Sequence, residues 1–79
     1  MNDINLGLQI KKFRTNQNLS LKELAEKIKS TSALLSQIEK GVTNPSINTL
    51  KSLSKALNIP LYKFFIEETL KKVHIVRAQ

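Results

Sequence analysis

The chain has 79 residues, of which 13 are Lys or Arg and 6 are Asp or Glu, giving a net charge of +7 with 41% hydrophobic residues. That length holds one small domain and excludes an enzyme with two cores, while the apolar content belongs to a folded rather than a disordered chain. The positive charge calls for an acidic partner: nucleic acid, an anionic membrane surface or an acidic protein face.

At the N-terminus, MNDINLGLQIKK carries Asp3 ahead of its apolar residues and meets charge soon after them, which fits neither a signal peptide nor a membrane span. A soluble, cytoplasmic protein without membrane contact is expected. Leu6, Ile10 and Phe13 then recur at helical spacing, with Lys11, Lys12 and Arg14 mostly on the other side. The turn formers Asn16, Gln17 and Asn18 follow. Ser20 and Glu23 match a capping box that opens a second helix, whose buried stripe is Leu21, Leu24, Ala25 and Ile28.

Lys29-Ser30-Thr31-Ser32 interrupts the pattern and supplies N-cap residues for a third helix with Leu35 and Ile38 on one face. Gly41 supplies the left-handed position that commonly stops a helix. After the loop Val42-Thr43-Asn44-Pro45, Ser46 caps a fourth helix striped by Ile47, Leu50, Leu53, Ala56 and Leu57, and Asn58 ends it. Pro60 suits a first helical turn. Leu61, Tyr62, Phe64 and Phe65 are expected to form a fifth helix that closes the core with three of the four aromatic residues.

Val73-His74-Ile75-Val76 is β-branched and strand-like in composition. Such a segment either pairs with another copy, continues into a further domain, or frays. Across the chain there is no cysteine, no Gly-rich phosphate loop and no paired-carboxylate motif, and His74 is the one histidine. The expectation is a protein that is not an enzyme and has no cofactor or metal site.

Two short helices joined by a tight turn, the second exposing small and hydrogen-bonding side chains, have the composition of a helix-turn-helix that fits a DNA major groove. The stretches LGLQIKKFRTNQNLSLKELAEKI, LLSQIEKG, NPSINTLKSLSKALNI and PLYKFF resemble, in order, the five helices of the phage-repressor-like (Cro and XRE) helix-turn-helix family. The resemblance covers Leu6 to Phe65. It implies an all-α, compact five-helix, lambda-repressor-like domain over residues 1–68, with residues 69–79 as a tail or linker in extended form. VHIVRAQ is similar to the segment that leads into a sensory cupin barrel in one branch of that family, and an effector enters only where such a sensor domain exists. The sequence departs from the family at Lys29 and Ser30, where relatives usually carry Gly and an apolar residue. Lys29 there is expected to adopt a positive φ at a cost on the order of 1 kcal/mol.

The resemblance places base contacts on the exposed face of the third helix, at Ser32, Ala33, Ser36, Gln37 and Lys40. The chemistry of those residues agrees: Gln pairs with adenine N6 and N7, Ala touches a thymine methyl, and Ser donates to or accepts from several base edges. With no Arg on this helix, an A·T-leaning half-site is expected unless Lys40 reaches a guanine. Ser20, Lys22, Thr31, Thr43 and Asn44 are the candidate phosphate contacts. Arg14 and Glu39 match the positions of an ion pair tying the first helix to the third. Leu34, off the Leu35/Ile38 stripe, is expected to pack at the edge of the core rather than touch a thymine methyl.

The function expected from these features is sequence-specific regulation of transcription, most simply repression, by a homodimer on double-stranded DNA with the third helix (about 32–40) in the major groove. The competing reading is a protein-interaction module that binds another regulator or a toxin.

Overall fold

The computed structural model describes residues 5–65. Four α-helices follow one another: α1 (Leu6–Asn16), α2 (Leu21–Lys27), α3 (Ser32–Glu39) and α4 (Ile47–Leu57). A short 3-10 helix (Leu61–Phe65) comes after them. No strand occurs among the described residues. The strand-like Val73–Val76, His74, the domain limit at residue 68 and the 69–79 tail all lie outside them.

Side-chain oxygens start each α-helix. Asn5, Ser20, Thr31 and Ser46 accept hydrogen bonds from the backbone N–H groups of Leu8, Glu23, Leu34 and Thr49, and Ser20 with Glu23 forms the full capping box. The four helices also end alike. Lys29 N–H donates to the Glu26 carbonyl at 3.2 Å and Ser30 N–H to that of Ala25 at 2.8 Å, which is the double bond of a Schellman turn. The same pair of bonds recurs at Asn18/Leu19, Gly41/Val42 and Asn58/Ile59. The left-handed residue of each turn is Asn18, Lys29, Gly41 or Asn58, with φ of 59°, 59°, 81° and 59°. Lys29 thus takes the positive φ expected of it, in a conformation that disfavours a side chain with a β-carbon.

The core draws on every element: Ile10 from α1, Leu24 and Ala25 from α2, Leu35 and Ile38 from α3, Leu50, Leu53 and Leu57 from α4, and Phe64 from the 3-10 helix. Each large side chain of this set contributes about 1.5–3 kcal/mol by leaving water. Gly7 lets α1 and α3 meet. A β-carbon there would collide with the carbonyl oxygens of Ile38 and Glu39. At the far end of α1, the Gln17 side-chain amide donates to the Leu57 carbonyl at 2.7 Å, so the last turns of α1 and α4 are joined.

Three expectations from periodicity are corrected. The fifth helix is a 3-10 helix rather than an α-helix, with Lys63 N–H donating to the Pro60 carbonyl at 3.0 Å. Its three residues per turn put Leu61 and Phe64 on the inner face and Tyr62 and Phe65 on the outer one. Of the aromatics expected to close the core there, only Phe64 is buried; Phe13 of α1 meets its ring edge-on at 5.9 Å, while Tyr62 and Phe65 are exposed. Ile47 continues the α4 stripe by spacing but lies in the first turn, where the stripe outruns the core, and is exposed. Leu34 stands at the margin of the core as expected, 39% exposed, about 100° from Leu35 and about 40° from the buried Ile38 four residues on.

Candidate nucleic-acid interface

A helix-turn-helix occupies Leu21 to Glu39, with residues 28–31 as its turn. Leu24 and Ala25 of α2 and Leu35 and Ile38 of α3 are buried, which fixes one face of each helix inward. The opposite face of α3 is then left to solvent. Ser32, Ala33, Gln37 and Lys40 are exposed and Ser36 is half-buried. Among the described residues no side chain forms a hydrogen bond with the Gln37 amide or with the hydroxyls of Ser32 and Ser36. A polar group without an internal partner, carried on a rigid helix, is available to an external one.

The electrostatics of α3 follow from a single pairing. Glu39 is its one acidic residue. Its carboxylate accepts from Arg14 Nε at 2.7 Å and from Arg14 Nη2 at 3.0 Å. Arg14 Nη1 in turn donates to the Leu19 carbonyl at 2.8 Å. The carboxylate is turned into the protein and neutralised there, so α3 presents no negative charge to solvent. The pair also locks α1 to α3 in a bidentate geometry.

The flanking donors are spread over three places. Ser20 opens α2, its hydroxyl accepting from Glu23 N–H at 3.0 Å while its own N–H donates to Glu23 at 2.8 Å, and Lys22 is exposed on the first turn. Thr31 opens α3, its hydroxyl oxygen accepting from Leu34 N–H at 3.1 Å. Both hydroxyls keep a proton to donate. Thr43 and Asn44 lie beyond the end of α3, where with Asn5, Gly7 and Pro45 they line an open cleft of about 290 Å³. Thr43 is half-buried and Asn44 exposed. They sit against the start of α1 rather than on the helix-turn-helix itself.

Sequence reasoning missed two contributors to this arrangement. Gly7 sets the distance between α1 and α3, and Gln17 ties the end of α1 to α4. A Gly in the first turn of an amphipathic helix is a signal of close approach, whereas nothing local distinguishes Gln17 from a solvated turn residue. No group of His, Cys, Asp or Glu suited to a metal ion occurs among the described residues, and no described helix is long and apolar enough to cross a membrane.

A family model described as helix-turn-helix matches residues 10–64. The chain is 38% identical over 64 residues to the HTH-type transcriptional regulator SinR of Bacillus subtilis, covering 80% of this chain and 58% of that protein. It is 37% identical over 67 residues to the immunity repressor protein of Bacillus phage phi105, covering 85% of this chain and 46% of that one. It therefore spans about half the length of these relatives. The fold superposes on the N-terminal DNA-binding domain of SinR from Bacillus subtilis with a TM-score of 0.73 at 36% identity, over 80% of this chain and 93% of that domain. SinR in complex with DNA gives a TM-score of 0.72 at 37% identity, over 77% of this chain and 98% of that one.

Proposed function

The chain belongs to the phage-repressor-like (XRE) helix-turn-helix family, and from that premise we propose that it is a sequence-specific DNA-binding regulator of transcription, acting as a repressor. In this reading it binds a pseudo-palindromic operator as a homodimer, one α3 in each of two major grooves about 34 Å apart. The observation that carries the proposal is the outer face of α3, where Ser32, Ala33, Ser36, Gln37 and Lys40 stand on a helix whose one acidic side chain, Glu39, is paired with Arg14. Gln37 reads adenine through N6 and N7, and Ala33 accommodates a thymine methyl.

Ser20, Lys22, Thr31, Thr43 and Asn44 hold phosphates and so fix the register without reading sequence. The net charge of +7 supports the same reading. Neutralising roughly 6–10 phosphates makes affinity fall about 10³–10⁵-fold between 50 and 200 mM salt. No catalytic step belongs to this function.

The test is selection of binding sites from a random duplex library at near-physiological salt, with Gln37→Ala run in parallel. The expected result is a two-fold motif that relaxes at one position per half-site in the variant, with a loss of about 1–3 kcal/mol there. Binding that is salt-sensitive yet blind to sequence would overturn it.

A further inference from the structure

Leu34 stands at the margin of the core on α3 and keeps part of its side chain in solvent: it is 39% exposed, whereas Leu35 and Ile38 are at 0% and 2%. It is the third residue of α3, in the turn whose side chains reach base edges when such a helix enters a major groove. It also stands three residues before Gln37, so the two side chains are neighbours on the helix surface. Its backbone is pinned, because Leu34 N–H is the donor to the Thr31 hydroxyl oxygen that caps the helix.

We propose that Leu34 is a specificity-determining residue that reads a thymine through its 5-methyl group, in the step next to the base met by Gln37. This rests on the reading of α3 as the helix that enters the major groove. Leucine has no polar atom with which to read a donor or an acceptor. The thymine methyl is the apolar group on the major-groove edge of a base pair, and cytosine lacks it. Contact with Leu34 excludes water from both apolar surfaces, and a cytosine in the same place leaves its N4 amino group facing a side chain that cannot accept from it. Gln37 and Leu34 together then select an A·T-rich step in which one residue supplies hydrogen bonds and the other shape.

The experiment uses the full 79-residue chain and the preferred duplex, with each thymine of one half-site replaced in turn by deoxyuridine, which removes only the methyl group. In the unsubstituted protein, the position next to the base met by Gln37 is expected to lose about fourfold in Kd, the weight of one buried methyl, separately from the thymine given to Ala33. In Leu34→Ala the thymine and deoxyuridine duplexes substituted at that position bind alike, and Leu34→Met restores the difference. Leu34→Met keeps the thermal midpoint of the parent and Leu34→Ala is assayed well below its own midpoint, which serves as the check on folding. Sequence-specific binding with a flat deoxyuridine scan overturns the proposal. So does a loss at that same position that survives in Leu34→Ala, whereas the thymine given to Ala33 keeps its methyl effect in both proteins. Either result leaves α3 as the reading helix, whereas failure to select any sequence removes the DNA-binding reading and this proposal together.

Discussion

Arg14 and Glu39, 25 residues apart, face each other through two hydrogen bonds, with the Arg14 side chain 11% exposed and that of Glu39 5%. The guanidinium meets both carboxylate oxygens and spends a further donor on the Leu19 carbonyl, so one side chain of α1 holds α3 and the turn before α2. Removing one member leaves a nearly buried charge without its partner. Glu39→Ala is therefore expected to destabilise the domain by about 3–5 kcal/mol, against a total of about 5–15 kcal/mol. Replacing both, as in Arg14→Met with Glu39→Leu, is expected to lose much less than the sum of the single variants. Urea unfolding of the singles and the double gives the comparison, and additive losses would mean that the two groups do not act as a pair.

The turn of the helix-turn-helix carries strain that one substitution relieves. Lys29 sits at φ 59° as the left-handed residue of its Schellman turn. Lys29→Gly is expected to stabilise the fold by about 1 kcal/mol, since only glycine adopts that conformation freely. For a domain of this size that raises the thermal midpoint by about 4–8 °C. Calorimetry checks it, and a lower midpoint would show that the lysine side chain stabilises the turn by more than its backbone strain costs.

The two glycines are expected to respond to alanine in different ways. At Gly7 the added carbon meets the backbone of α3, which cannot swing aside as a side chain would, so Gly7→Ala forces α1 and α3 apart. A loss of about 1–3 kcal/mol or more follows from overpacking. At Gly41 there is nothing within 4 Å of the added carbon, but φ is +81°, so the loss comes from backbone strain alone. That strain is about 1–2 kcal/mol. Crystal structures separate the two cases: displacement of α1 is expected for Gly7→Ala, and none for Gly41→Ala.

Residues that hold phosphates and residues that read bases leave different signatures in binding data. Lys22→Gln is expected to weaken binding by a similar factor on every duplex and to lower the slope of log K against log salt by about 0.9 for each phosphate that is no longer neutralised. Gln37→Ala is expected to leave that slope in place and to change the preferred sequence. Titrations on a selected and a scrambled duplex at several salt concentrations measure both. An unaltered slope for Lys22→Gln would remove Lys22 from the phosphate-binding set.

The amino-acid sequence by itself determined the elements with local causes. The capping box of Ser20 and Glu23, the caps at Thr31 and Ser46, and the helix stops at Gly41 and Asn58 involve side chains and backbone within a few residues of one another, so they are legible as short words, whereas the positive φ of Lys29 was expected only from the family resemblance. The same holds for the stripes of α2 and α3, the family, and the residues on the outer face of α3. What only the tertiary structure decided is where those stripes stop being covered. Periodicity assigns Ile47 inward and gives Tyr62 and Phe65 to the core, yet each is exposed, because burial requires a partner from a distant part of the chain and not only a place on a face. Gly7 and Gln17 belong to the same class. Their roles come from α3 and α4 lying where the packed helices put them, a placement set by the summed fit of side chains far apart in sequence and carried by no single local pattern.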